Sequence, residues 1–298
     1  MDDARSLLCG SAYDRSRESL DAARPLRVRL LWAFIAALVG AAAPASLEAQ
    51  HLGGAREVAL ARATTAVIGL DAFWGNPAAS STSDRTGFGM DVAQLYGMPE
   101  LRSGSVHLSA PLLSTAVTLG GSTFGFELFR QTTLSMGVAR AFRPGTFRRM
   151  HVGARLQETL VQIERYGGLA YTTASAGLIL PVSEGIALGA SATNLIAIGR
   201  VARAEAERSI AMGISYREGA RLTIAADVLK EVRSPAAGRV GIEVRPVRVL
   251  ALRGGLTLDP PRYSTGVGLQ LNHLVLDFAA ECHHALGWST FFSLGIHW

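Results

Sequence analysis

Gly287-Trp-Ser-Thr-Phe-Phe-Ser-Leu-Gly-Ile-His-Trp298, the end of the chain, alternates with a period of two. Trp288, Thr290, Phe292, Leu294, Ile296 and Trp298 share one face. Ser289, Ser293, Gly295 and His297 share the other, with Phe291 as its one large apolar residue. Successive side chains of a strand point to opposite sides of the pleat, so this period predicts a strand. The bulky apolar face, the small polar face and the terminal aromatic together predict the closing strand of a membrane β-barrel.

Upstream the same rhythm recurs in segments of about ten residues separated by Gly, Pro, Asp or Arg-rich breaks. Met150, Val152, Ala154 and Leu156 oppose His151, Gly153, Arg155 and Gln157. Val240, Ile242 and Val244 oppose Arg239, Glu243 and Arg245, and Leu250, Leu252 and Leu256 oppose Arg253, Gly255 and Thr257. Leu274, Leu276 and Phe278 oppose Asp277, Glu281 and His283. The expected fold is all-β: a transmembrane antiparallel barrel of about 14 strands over residues 86–298, with 12 and 16 as the neighbouring even numbers. A soluble sandwich or lipocalin-like barrel shows the same alternation with its apolar side inward. Charge decides between them, because an Arg facing lipid near the bilayer midplane costs roughly 2–4 kcal/mol. The apolar faces carry almost none.

Composition agrees with this reading. The 298 residues are 49% hydrophobic and 18% charged, with mean hydropathy +0.24, yet no apolar run reaches the roughly 20 residues of a membrane-spanning helix. The longest candidate, 30–43, follows Arg24, Arg27 and Arg29 and precedes small residues up to Ala49, the pattern of a secretory signal peptide. Residues 1–49 are therefore read as leader and signal peptide, cleaved after Ala49 or after Ala45. The expected location is the outer membrane of a diderm bacterium. Removing residues 1–49 leaves the net charge at +5, spread without the basic stripe that nucleic-acid binding requires. Cys282 is left without a partner, so neither a disulfide nor a cysteine metal site is expected.

Residues 50–85 form a pre-barrel segment of different character. An Ala-rich stretch from Arg56 to Leu70 has helical composition, and Asp71-Ala-Phe-Trp-Gly-Asn-Pro-Ala-Ala79 is turn chemistry around Pro77. The segment either folds into the lumen as a plug or leads directly into the first strand. Within it Asp71, Phe73, Trp74, Asn76 and Pro77 are the candidate ligand-binding or gating residues. Trp74 and Phe73 are also suited to anchoring at the membrane interface, the commoner role of such aromatics, or to capping an apolar pocket.

Asp71-Ala-Phe-Trp-Gly-Asn-Pro-Ala78 resembles the segment that precedes the barrel in the PorV/PorQ and FadL-like outer-membrane proteins. Leu188-Gly-Ala-Ser-Ala-Thr-Asn194-Leu195, Leu222-Thr-Ile-Ala-Ala-Asp227-Val228, Ala251-Leu-Arg253-Gly-Gly255 and Gly266-Val-Gly268-Leu269 are similar to successive strands of that family, in its order. Leu276-Asp-Phe278 and Leu286-Gly-Trp-Ser-Thr-Phe-Phe-Ser-Leu-Gly295 continue the series. The resemblance spans about Leu60 to Trp298. It departs from the family where Asn76-Pro77-Ala78-Ala79-Ser80 replaces Asn-Pro-Ala-Gly-Leu. It implies a 14-stranded outer-membrane barrel that binds or passes hydrophobic small molecules. The alternative is a PorV-like barrel assisting type IX-type secretion or holding exported cargo, and a further one is a general porin or structural barrel.

No constellation demands catalysis, and the chain is read as non-enzymatic, without cofactor or metal. His283, His284, Ser289, Asp277 and Glu281 could be arranged as a hydrolase site, but lumen polar residues satisfying one another is the favoured reading. Arg155, Arg239, Glu243, Arg253, Asp277 and Glu281 face inward with mixed sign, which predicts a cross-linked lumen network instead of an ion-selective ring. His151 and His273 lack a second ligand at useful spacing. Phe292, Gly295, Ile296 and Trp298 resemble the carboxy-terminal signal read by the outer-membrane assembly machinery. Expected partners are thus outer-membrane lipid, that machinery, and a hydrophobic small molecule or secreted cargo.

Overall fold

In the computed structural model, residues 53–69, 74–143, 149–199 and 206–298 are described. Fourteen strands close into one antiparallel barrel in which each strand pairs with its sequence neighbours and the first pairs with the last. They are β1 (Gly87–Gln94), β2 (Arg102–Leu112), β3 (Thr115–Gly125), β4 (Phe129–Phe142), β5 (Met150–Ile163), β6 (Gly167–Pro181) and β7 (Ile186–Ile198). The second half comprises β8 (Ser209–Glu218), β9 (Leu222–Glu231), β10 (Ala236–Val247), β11 (Leu250–Thr257), β12 (Arg262–Leu271), β13 (Leu274–His283) and β14 (Gly287–His297). Closure runs from Gly87 opposite His297 to Gln94 opposite Thr290. Beyond it the Thr86 and Trp298 backbones exchange two hydrogen bonds of 3.1 and 3.0 Å. No sheet edge is left unpaired, as a lipid environment requires. Among the described residues no helix is long and apolar enough to cross a membrane; the strands do so.

The barrel is polar inside and apolar outside. On β14, Trp288 and Phe292 stand exposed, as does Trp298 just beyond it, while Ser289 and Phe291 are buried. On β8, Ile210 and Met212 face out against buried Ser209 and Ala211. This is the inverse of a soluble core and the arrangement of a transmembrane barrel. An even strand number puts both barrel termini at one end, here termed the terminal end; the turns after β1, β3, β5, β7, β9, β11 and β13 form the distal end.

One irregularity has a local cause in the sequence. Between β6 and β7 the register shifts across Ala174 and Ala176. There Asn194 takes φ +53°, a left-handed conformation that Asn tolerates better than most residues. Its backbone N–H donates to Ser175 Oγ at 3.1 Å and its Nδ2 to the Glu207 carbonyl at 2.8 Å, so the bulge leaves these groups satisfied.

The pre-barrel segment is a plug. Its helix α1 (Ala55–Ala59) lies against β11 to β14, and the 3-10 turn Pro77–Thr82 lies against β3 to β6. Thr65 and Ala66 meet inward-facing side chains of β9 and β8. A segment that touches the inner face nearly all the way round can only occupy the lumen.

Candidate functional site

The plug is seated first by glycine. Inward-facing Gly153, Gly177, Gly189, Gly241, Gly255 and Gly266 each lie directly against plug atoms, from Pro77, Asn76, Thr65, Leu60, Ala61 and Ala59 respectively. A Cβ at Gly241 would stand 2.6 Å from the Leu60 carbonyl oxygen, closer than packed atoms tolerate. The glycines on the polar faces are thus contact points for a second backbone, in addition to easing crowding in the lumen.

Polar clamps then fix the segment. Asn76 caps the 3-10 turn, its Oδ1 accepting from Ala78 N–H at 3.0 Å. Its Nδ2 donates to the carbonyls of Thr65 (2.7 Å), Leu178 (3.0 Å) and Ala190 (3.2 Å), tying two parts of the plug to β6 and β7. Pro77 at the first helical position sacrifices no hydrogen bond. Asp227, buried on β9, accepts from Thr65 N–H at 2.9 Å. Ser293 Oγ accepts from Ala55 N–H at 2.7 Å and donates to Asp91 at 2.6 Å. Asp91 also accepts from Ser105 Oγ at 2.9 Å and from Trp74 Nε1 at 3.3 Å.

Ion pairs complete the attachment. Glu243 receives Arg253 (2.7 Å) and Arg245 (3.1 Å) from the wall and Arg56 (2.9 Å) from the plug. Arg253 extends to Asp277 at 2.5 Å. Glu281 pairs with the plug's Arg62 at 2.6 Å, and Arg262 approaches the same carboxylate at 4.0 Å. Arg155 donates to the carbonyls of Trp74 (3.1 Å) and Gly75 (3.3 Å). Arg239 is buried opposite Asp227 in the β9–β10 register. Glu57 on α1 accepts from Gly75 N–H at 3.3 Å. Burial pushes its carboxyl up to about 8, with the Asp91 carboxylate adding to the shift and Arg155 and Arg62 opposing it.

The structure therefore places five of the six inward charges of the wall in contact with the plug or with one another, and Arg239 opposite Asp227. Arg56 and Arg62, the plug's own contribution, escape sequence reasoning. Their only signal is a pair of arginines in an otherwise Ala-rich stretch. Both Asn76 amide hydrogens are engaged, so Asn76 and Pro77 clamp the plug to the wall. One expectation changes. Trp74 is not an interface anchor: its indole lies in the lumen, edge-on to His107 with centroids 6.4 Å apart. Beside it is a void of about 30 Å³. Asp71 and Phe73 lie outside the described residues. Ser289 and His283 are engaged separately: Ser289 Oγ accepts from Tyr96 N–H at 3.0 Å, and His283 Nδ1 accepts from the turn amides of Ala285 and Leu286.

The two ends of the lumen differ. On β3 to β6, toward the distal end, inward positions become large and apolar. Phe124 and Phe129 meet edge to face with centroids 6.4 Å apart, and Phe129, Leu169 and Ala197 pack on Val161 and Tyr171. Phe291 packs with Val58, Ala59 and Leu95, joining the apolar side of α1 to this collar. At the terminal end a cavity of about 510 Å³ is lined mainly by the β6–β7, β8–β9, β10–β11 and β12–β13 turn regions and by Arg56, Glu243 and Arg253.

Together these features define a class: a closed fourteen-stranded barrel, apolar outside, with its lumen occupied by its own N-terminal segment. The same fold occurs in the FadL family of outer-membrane transporters. The chain is similar to the CymD monoaromatic hydrocarbon channel (TM-score 0.58, 15% identity, 83% of this chain and 97% of that one). It is also similar to a Pseudomonas aeruginosa FadL homologue (TM-score 0.55, 11% identity, 86% and 99%) and to the P. putida toluene transporter TodX (TM-score 0.54, 12% identity, 83% and 97%). No family model and no curated protein sequence matches the chain. At such identities the likeness concerns the fold, which is typical of outer-membrane proteins of diderm bacteria.

Proposed function

We propose that this protein resides in the outer membrane and binds or passes a hydrophobic small molecule, with the plug controlling passage. The observation that carries this reading is the distal collar. Phe124, Phe129, Val161, Leu169 and Tyr171 gather at inward positions, where most of the barrel carries small, polar or charged residues. Large apolar side chains in a lumen forgo water contact only for packing or for an apolar ligand, and a concave apolar lining is the usual form of a small-molecule site. The hydrocarbon and toluene channels with the same fold lend the reading support. A cargo-holding role in secretion needs broad distal loops. The longest distal connections here span only 95–101 and 199–208, so that role ranks second.

Binding of toluene and of a long-chain fatty acid to the barrel in nanodiscs tests the proposal. Wild type should take up at least one of them above the level of empty nanodiscs, and Phe124→Ser/Phe129→Ser should bind it about tenfold more weakly, each buried aromatic being worth roughly 1.5–3 kcal/mol before relaxation. No uptake above empty nanodiscs would refute it. The assembly machinery is the other proposed partner: deletion of Trp298 should lower the fraction of inserted barrel in cells, and full insertion of the truncated chain would exclude that role.

A further inference from the structure

The cavity at the terminal end holds more guanidinium than its carboxylates neutralise. Five arginines line it (Arg56, Arg217, Arg245, Arg248 and Arg253) against Glu184, Glu243 and Asp277. Two of these acids are already committed, Glu243 to Arg56, Arg245 and Arg253, and Asp277 to Arg253. Arg217, at the end of β8, and Arg248, in the β10–β11 turn, make no side-chain hydrogen bond or ion pair with any described residue. Arg245 shares Glu243 and also donates to Gln270 Oε1 at 2.9 Å. A concave, low-dielectric wall with excess charge of one sign concentrates counter-ions. The guanidinium fork matches the paired oxygens of an oxyanion.

We propose that this mouth is a binding site for a phosphate-class oxyanion, held by Arg217 and Arg248 with Arg245 beside them. The excess of two positive charges in the lining suits a group that approaches two negative charges near neutral pH. The anion could be free phosphate or the phosphodiester of a lipid headgroup, which carries the same oxygens at lower charge. The site lies at the opposite end of the lumen from the apolar collar and stands or falls independently of hydrophobic-solute binding.

The test is calorimetric titration of the full barrel in neutral detergent with sodium phosphate at low ionic strength. Wild type should bind, and R217Q/R248Q should bind about tenfold more weakly or less, since a hydrogen bond to a charged group contributes roughly 1.5–3 kcal/mol. R140Q, which removes an exposed arginine from the outer face of β4, should bind like wild type. Heat-modifiable migration of both variants establishes that they fold. Absence of phosphate binding by wild type, retention of it by R217Q/R248Q, or equal loss in R140Q would overturn the proposal. Repeating the titration in phosphatidylglycerol nanodiscs separates the sources. Weaker phosphate binding there than in detergent assigns the site to headgroups, and equal binding assigns it to the free anion.

Discussion

The distal and terminal ends of this lumen are made from the same strands and have opposite chemistry. Along β5 the inward positions run from His151 through Arg155 to Val161, and along β4 from Ala139 through Ser135 to Phe129. On β3 to β6 the distal part of the lumen is aromatic and braced by packing; across β9 to β13 it carries charge, with Arg62, Arg262 and Glu281 together, and the terminal part carries the Glu243–Arg253–Asp277 network. Between them lies the plug, whose α1 turns Val58 and Ala59 toward the collar and Arg56 toward Glu243. A single short helix thus touches both an aromatic cluster and an arginine-rich network. A barrel that only had to stay closed could have filled both ends alike. The difference between them fits the proposed binding of a hydrophobic solute at the aromatic end.

The contrast can be broken most forcefully at Arg253. Arg253→Glu would place a third carboxylate between Glu243 and Asp277, all nearly devoid of solvent. Disrupting a buried pair in this way costs roughly 3–5 kcal/mol, so the temperature at which the barrel loses its compact electrophoretic form should fall clearly. An unchanged transition would mean that the terminal network does not brace the wall. The plug's seat comes next. Gly241→Leu drives a side chain into Leu60, an overpacking of roughly 1–3 kcal/mol. Amide exchange across residues 53–69 should accelerate while the strands stay protected; equal protection in the variant would show that the seat yields freely.

A smaller effect should come from pH. Glu57 has its carboxyl raised to about 8 in the folded protein, against roughly 4.3 for an unperturbed Glu. The folded state therefore binds the proton more tightly. Plug stability from this group is fully present below the unfolded value and is lost as pH rises through the folded one. Exchange of the plug amides, corrected for intrinsic rate, should be slower at pH 6 than at pH 9, and Glu57→Gln should flatten that difference. A plug that loosened on acidification would contradict the assignment.

Much of the wall was legible in the sequence because lipid imposes a simple rule on it. Residues such as Met212, Leu252 and Phe292 must be apolar, their neighbours are free to be small or polar, and the alternation follows directly. Inward charges could be identified by parity alone, Arg253 and Asp277 among them. Their partners could not, since Arg56 and Glu243 are separated by 187 positions and no periodicity links them. Asn76 and Pro77 read as a turn, and they form one. That the turn clamps the plug to β6 and β7 depends on Gly177 opposite, whose role as a seat is invisible in a strand where Gly also serves other ends. Phe124, Phe129 and Tyr171 each break the small-and-polar rule of the inner face, as Phe291 does, but only the fold gathers Phe124 beside Phe129 and Phe129 beside Tyr171.

The amino-acid order by itself determined which face of each strand meets lipid, because the free energy of burying or exposing a side chain there is local and repeats every second residue. It also determined that the sheet must close, since unpaired backbone has no partner in hydrocarbon. Only the tertiary structure decided that residues 53–82 return into the lumen, which carboxylate holds which arginine, and that an aromatic cluster gathers toward one end and an arginine-lined cavity at the other. Those outcomes depend on contacts between positions far apart in the chain, where shape and charge must match in three dimensions before any stabilisation is gained.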